Sequence, residues 1–255
     1  MDDSKMEKIR HGKATLQRLK KLELKNIKSN FKISSKILRD LRILEDLEVD
    51  SCKALQEIFD IDDIEGMEKN GIVSPLKKLT LDELPNLKRV WSKNPQGIIN
   101  FPNLQEVRVG DCRRLATLFH SSLAKNLTEL GTLHIQNCAK LVSIVRKEDA
   151  MEQEANAMFK FPCLSSLLLY KLPRLSCFYP GEHCLECPIL ESLKVSYCPE
   201  LKLFTSKLVD SDTEEITESE DSSPNTTESE VSSSDAINQL KQPLFYVEKV
   251  TIYQF

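Results

Sequence analysis

Eight times along the chain a large aliphatic residue sits at the centre of the frame LxxLxL, at Leu22, Leu47, Leu79, Val107, Leu133, Leu167, Leu193 and Val250. Each centre has an aliphatic partner three residues before it, from Leu19 and Leu44 to Leu190 and Val247. Each has another two residues after it, from Leu24 and Val49 to Val195 and Ile252. The two-residue period inside LxL belongs to a strand with one buried face. A single such strand has nothing to bury that face against, so the frame requires copies stacked side by side.

The successive centres are separated by 25, 32, 28, 26, 34, 26 and 57 residues. That is leucine-rich-repeat spacing with three lengthened turns and one large insertion. The columns continue past the strand, through Ile27, Cys52, Leu84, Cys112, Cys138, Leu172, Cys198 and Phe255. They then run through Leu55, Leu87, Leu115, Leu141, Leu175 and Leu201, and through Ile58, Val90, Leu118, Ile144, Phe178 and Phe204. Three-residue steps of this kind suit a turn or short 3₁₀ segment. The expected fold is an α/β leucine-rich-repeat solenoid, a curved horseshoe with a parallel sheet on its concave face and short 3₁₀, helical or irregular segments on the convex side.

Two kinds of repeat are present. One carries Cys at the corner after the strand, as in LEVDSCKALQEIF and VRVGDCRRLATLF. The other carries Leu-Pro, as in LTLDELPNLKRVW and LLLYKLPRLSCFY. A column that accepts Cys52, Cys112, Cys138 and Cys198 where other repeats have Leu or Ile is a small apolar pocket. Its thiols therefore read as structural hydrophobes rather than half-cystines. Cys184 and Cys187 form a CxxC beside His183, but no second pair stands at zinc-finger spacing, so no metal site is expected.

The repeats place residues 1–13 as a ragged lead-in, 14–207 as a solenoid of seven repeats, 208–240 as an acidic Ser/Thr-rich disordered insertion and 241–255 as a partial eighth repeat ending on an exposed edge. Residues 208–235 hold ten acidic side chains and no Lys or Arg; removing those ten from 39 leaves 29 acids against 35 bases, so the remaining body carries about +6. That stretch also places acids three residues after hydroxyls, as in Ser211 with Glu214 and Thr217 with Glu220, a spacing that acidophilic kinases use. RKEDAMEQEANAM, without Gly or Pro, predicts a short convex helix. DIDDIEG lacks the closing Glu of an EF-hand and reads as a solvated acidic loop.

Several functions are disfavoured. The chain has 7 glycines and neither a GxxxxGK[ST] nor a GxGxxG string, so no phosphate-cradling loop is expected. No apolar run reaches 18 residues and the charged opening has no h-region behind it, so neither a membrane span nor a secretory signal is expected and the setting is read as cytoplasmic. Aromatic residues make up only 6 %, too few for the stacking platforms of single-strand binding, and no nucleic-acid partner is expected. His11, His120, His134 and His183 are far apart in sequence, and no motif places a Ser, Cys or carboxylate beside any of them. The chain is therefore read as no enzyme, with no cofactor and no small-molecule substrate.

The side chains between the LxL leucines face outward and define the concave surface. In the early repeats they alternate in sign, with Lys21, Asp46, Lys78 and Glu106 expected side by side and Lys25 beside Asp50; ladders of this kind steady a sheet. The later repeats add Leu168 and Tyr170, an apolar and an aromatic side chain on a face otherwise polar. With Arg108, His134 and Lys194 they form the expected protein-contact patch.

The phrases LKKLTLDELPNLKRVW, FPNLQEVRVGDCRRLATLF and CPILESLKVSYCPELKLF resemble the C-terminal leucine-rich repeats of plant intracellular nucleotide-binding (NB-ARC) disease-resistance proteins of the coiled-coil class. The likeness runs from about Leu16 to Phe204 and resumes near Pro243. It implies a repeat module that senses pathogen effectors, directly or through a guarded host protein, and that holds a nucleotide-binding switch inactive. This sequence carries neither the nucleotide-binding domain nor the coiled coil, so nucleotide binding is not carried over. Two other readings are a substrate-recognition module of a ubiquitin ligase, which needs an F-box-like segment, and a structural scaffold.

Overall fold

Alternation of buried and exposed residues is what forms the principal sheet. In the computed structural model the strands Lys21–Lys25, Asp46–Asp50, Lys78–Asp82, Glu106–Gly110, Thr132–Gln136, Ser166–Tyr170, Ser192–Ser196 and Val250–Tyr253 pair in sequence order as one eight-stranded sheet. Every pairing is parallel and in register, so that Leu22, Leu47, Leu79, Val107, Leu133, Leu167, Leu193 and Val250 lie in one lateral row. The seven centres from Leu22 to Leu193 are buried, as are their second partners from Leu24 to Val195. The chain is a leucine-rich-repeat solenoid whose core is the stack of these leucines.

The structure describes residues 17–61, 71–95, 98–147, 157–181, 183–202 and 250–253. The lead-in 1–13, most of the DIDDIEG loop, the acidic stretch 208–240 and its hydroxyl–acid pairs lie outside them. The chain divides into two units, one made of Met1–Leu203 with Leu244–Phe255 and the other of Phe204–Pro243. Only the first contains described residues.

Each strand of the described repeats ends in the same way. The residue after it, at Asn26, Ser51, Glu83, Asp111, Asn137, Lys171 and Tyr197, takes a left-handed conformation with φ between 49° and 57°. None of the seven is glycine, although a side chain disfavours this region. The kink turns the next residue inward, which is why Ile27, Cys52, Leu84, Cys112, Cys138 and Leu172 are buried at 2 % exposure or less. The kinked residues still extend the ladder: the Asn26 N–H donates to the Asp50 carbonyl at 3.0 Å, that of Asn137 to Tyr170 at 3.0 Å and that of Lys171 to Ser196 at 2.9 Å.

The corner thiols fit as expected for buried hydrophobes with a weak donor. Cys52, Cys112, Cys138 and Cys198 each donate to the carbonyl two residues earlier, at 3.2, 3.2, 3.2 and 3.4 Å. All eight cysteines are free. The corner then opens a β-turn closed by a bond from the residue three positions on, as from Leu115 N–H to Cys112 O at 3.1 Å and from Leu175 N–H to Leu172 O at 3.1 Å. Pro85, Pro173 and Pro199 occupy the first central position of such turns, where a fixed φ near −65° is an advantage.

The opposite side of the solenoid adds short parallel pairings. Ile33–Ser34, Glu57–Asp60 and Arg89–Trp91 form a three-stranded sheet, and Ala157–Lys160 pairs with His183–Glu186. Aromatic residues seal this layer: Phe59 stacks on Trp91 at 4.4 Å, and Phe178 meets Phe159 and Phe161 edge-on at 5.6 and 5.7 Å. Among the described residues two short helices occur, Ser35–Asp40, capped by the Ser34 hydroxyl, and Ser121–Ala124. The helix expected over RKEDAMEQEANAM is not present at either end. Val145–Arg146 is a strand on Phe119–His120, and Ala157 and Met158 belong to the strand that pairs with His183–Glu186. Lateral backbone pairing with neighbouring turns outweighs the helix propensity there, while 148–156 lie outside the described residues.

Candidate functional site

Parallel register makes the solvent side of the sheet a grid, with its middle row running Glu23, Glu48, Thr80, Arg108, His134, Leu168 and Lys194. Arg108, His134, Leu168 and Lys194 therefore stand on four neighbouring strands at the same height. Tyr170 follows two positions along the Leu168 strand, with Gln136 and Ser196 beside it in register. All five residues expected to form the contact patch are thus on one face.

At the N-terminal end the face is closed by ion pairs. Lys21 bridges Glu23 at 2.8 Å and Asp46 at 3.5 Å, while Lys25 reaches diagonally to Glu48 at 2.8 Å. Hydrogen bonding with Glu23 raises the Lys21 pKa, and the same bond lowers that of Glu23. These groups satisfy one another, and Lys78 with Glu106 at 3.2 Å continues the pattern.

From Glu106 onward the polar groups form a chain across three strands. The Arg108 guanidinium bonds the Glu106 carboxylate and lies 3.0 Å from Nδ1 of His134. Nε2 of His134 is 3.0 Å from the Ser166 hydroxyl. Arginine has no acceptor, so Nδ1 must accept and the neutral ring carries its proton on Nε2. Burial, then the Arg108 charge and the Lys194 charge lower the His134 pKa, while Glu106 opposes them. The Arg108 bond holds the Glu106 carboxyl below its ordinary value.

The structure brings to His134 a serine that no motif announced. Ser166 was invisible to motif reading because it sits 32 residues away and is brought close only by the sheet register. The pair is nevertheless set up opposite to a nucleophile and its base. A catalytic His needs a free Nε2 to take the hydroxyl proton and a carboxylate on Nδ1–H. Here Nε2 holds the proton and a cation occupies Nδ1.

A second feature missed in the sequence is a notch of about 310 Å³ beside this chain, lined by Thr80, Asp82, Arg108, Gly110, His134, Gln136 and Leu168. Gly110 creates it. A Cβ at that position would stand 2.2 Å from Oδ1 of Asp82, so only glycine lets the carboxylate lean over the strand. Burial, with help from Asp111 and Asp50, raises the Asp82 pKa. Tyr170 and Lys194 lie outside the notch. Tyr170 meets Tyr197 edge-on at 5.6 Å, the Lys171 ammonium stands 5.1 Å from the Tyr170 ring centre, and Tyr197 is 45 % exposed. Gly110 stands where the other strands carry Lys25, Asp50, Asp82, Gln136, Tyr170 and Ser196, and that contrast was the available signal.

At the CxxC, Cys184 is exposed and Cys187 is 3 % exposed, so the two do not converge; burial pushes the Cys187 thiol up to about 12. Among the described residues no three His, Cys, Asp or Glu side chains gather at metal-binding distance, and no helix is long and apolar enough to cross a membrane.

The family described as plant disease resistance protein RPS2-like, leucine-rich repeats, matches residues 1–139. The chain belongs to this family. Its similarity extends to a probable disease resistance protein of Arabidopsis thaliana, At4g14610, 28 % identical over 185 residues that make up 67 % of this chain and 25 % of that relative. The chain thus spans about a quarter of that relative's length. No solved structure matches. For a disease-resistance repeat region, the solvent side of the sheet with its Gly110 notch is the candidate site.

Proposed function

We propose that the chain is a non-catalytic protein-recognition module: the effector-sensing and autoinhibitory repeat region of a cytoplasmic plant immune receptor, or a truncated relative acting in defence. The observation that carries this reading is the row Arg108, His134, Leu168 and Lys194, flanked by the Gly110 notch and by Tyr170. It offers a cation, an apolar patch, an aromatic edge and a recess on one rigid sheet. Partners of this chemistry are proteins, since aromatic and Arg side chains beside a recess are the usual anchors of a protein interface. The reversed proton placement on His134 supports the non-catalytic part of the reading.

The test is co-purification of the chain with a coiled-coil and nucleotide-binding fragment of a related receptor. Association in trans that is weakened by Leu168→Ala with Tyr170→Ala supports an immune-receptor module working through this face. Association untouched by both substitutions removes the contact patch. Recovery of a ubiquitin-ligase adaptor in place of the receptor fragment replaces the reading with the ligase one.

A further inference from the structure

The solenoid has a second surface distinct from the sheet face, along the edge where the β-turns follow the strands. In three successive turns the central residues are Arg113 with Arg114, Ala139 with Lys140, and Pro173 with Arg174. The turns are stacked by backbone bonds just beyond them, from Val142 N–H to Ala116 O, Ser176 N–H to Val142 O and Lys202 N–H to Ser176 O, each at 3.0 Å. Equivalent residues of adjacent turns are therefore about 4.8 Å apart, the spacing of paired strands, and Arg114, Lys140 and Arg174 form a line about 10 Å long.

All four basic side chains are exposed, and none has an ion pair or hydrogen bond among the described residues. The contrast with the sheet face is sharp, since Lys21, Lys25, Lys78 and Arg108 all have carboxylate partners there. The line is bounded by Asn86, which donates to the Lys53 carbonyl, and by Glu200 in the next turn. Beside Lys140 the Val142 side chain is 43 % exposed, an apolar contact at the middle of the line.

We propose that this turn edge docks an extended acidic segment of a partner protein. An extended peptide presents every second side chain on one face at about 6.7 Å intervals, so two carboxylates span the line and the long Arg and Lys side chains absorb the difference in pitch. Unpaired cations already exposed to water lose little on meeting carboxylates, and they supply on-rate and selectivity for acidic partners. Nucleic acid is the poorer fit. The three turns contain no aromatic residue on which a base would stack.

The test uses the whole chain and a fluorescein-labelled decapeptide of alternating Glu and Ser, with the Gln–Ser peptide as control, followed by anisotropy. Binding of the Glu peptide alone is expected, weakened by salt and reduced roughly tenfold or more by combined Arg114→Gln, Lys140→Gln and Arg174→Gln. A charge-matched variant, Lys36→Gln with Arg39→Gln and Arg42→Gln, also changes only exposed side chains and is expected to bind as the parent does. Far-UV circular dichroism checks that both variants fold. Equal loss in both variants reduces the effect to net charge and overturns the proposal. So does absence of Glu-peptide binding, or tighter binding of a single-stranded oligonucleotide of the same length through the same three residues.

Discussion

The Arg108 guanidinium lies 3.0 Å from Nδ1 of His134 and thereby decides which nitrogen of that ring carries the proton. Protonating Nδ1 would set two donors against each other, which agrees with the lowered pKa. An unfolded chain has no such constraint and binds a proton on this His near pH 6.5. Between that value and the lower folded pKa the unfolded state holds more protons, so the stability from this group is complete above about pH 6.5 and declines as pH falls below it. Burial lowers that pKa most and stays in place, but replacing Arg108 by Glu removes a cation, places an acceptor beside Nδ1, and is expected to raise the His134 pKa and to move the proton to Nδ1. Histidine nitrogen shifts in an NMR titration read both changes; an unshifted pKa removes Arg108 as their cause.

Gly110 and Asp82 form a similarly dependent pair, since the carboxylate occupies space that any Cβ would take. The φ of Gly110 is not positive, so alanine meets no backbone strain there. Its only conflict is with the Asp82 side chain, which can rotate away. Gly110→Ala is expected to cost about 1 kcal/mol or less and to shrink the notch. With Asp82→Ala the clash has no second party, and the double mutant should regain about 0.5–1 kcal/mol relative to the sum of the singles. Urea denaturation of the four proteins measures that coupling, and strict additivity would place the notch's origin elsewhere.

Much of this fold was legible because its physics is periodic. The LxL frame predicts which face of each strand is buried, and Leu22 through Val195 follow it without exception. The corner column likewise announced that Cys52, Cys112 and Cys138 are core residues. What the sequence hid is lateral. Ser166 meets His134 across 32 residues, and Lys25 reaches past its expected neighbour Asp50 to Glu48, because side-chain length and rotamer decide the partner once register has brought several within range. The left-handed residues were hidden for another reason: Glu83, Lys171 and Tyr197 are poor markers of that conformation, which stacking imposes on them. The expected helix between Arg146 and Met158 gave way at both ends to strand pairing, where neighbouring turns supplied partners that propensity cannot weigh.

The thiols separate by exposure in a way that alkylation can read. Burial raises the pKa of Cys52, Cys187 and Cys198, the hydrogen bond with Cys138 and then burial raise that of Cys112, and only the thiolate is a nucleophile. Cys184 is the exposed thiol among the eight. Brief iodoacetamide treatment near pH 7.5 is expected to label Cys184 first. Cys52, Cys112, Cys138 and Cys187 are expected to remain unlabelled until denaturant is added. Peptide mass spectrometry gives the order, and early labelling of Cys138 would mean that the corner pocket opens in the native state.

The repeated left-handed residue is the clearest place to stabilise the protein. Asn26, Asp111 and Asn137 carry the short polar side chains that enter the left-handed region at least cost, and the Asn137 amide also donates to the Asp111 carboxylate of the neighbouring turn at 3.2 Å. Glu83 has φ of 49° with a longer side chain, and it adds a negative charge next to Asp82. Glu83→Asn is expected to relieve both, despite losing the bond from the Ser51 hydroxyl at 2.7 Å, and to stabilise the solenoid by about 0.5–1 kcal/mol. The converse change, Asn137→Val, puts a β-branched side chain into the same region and removes the bond to Asp111, with an expected loss of about 1–2 kcal/mol. Thermal unfolding followed by circular dichroism should move in opposite directions for the two variants. A fall in both would mean that side-chain bonds along this edge, rather than backbone conformation, set its stability.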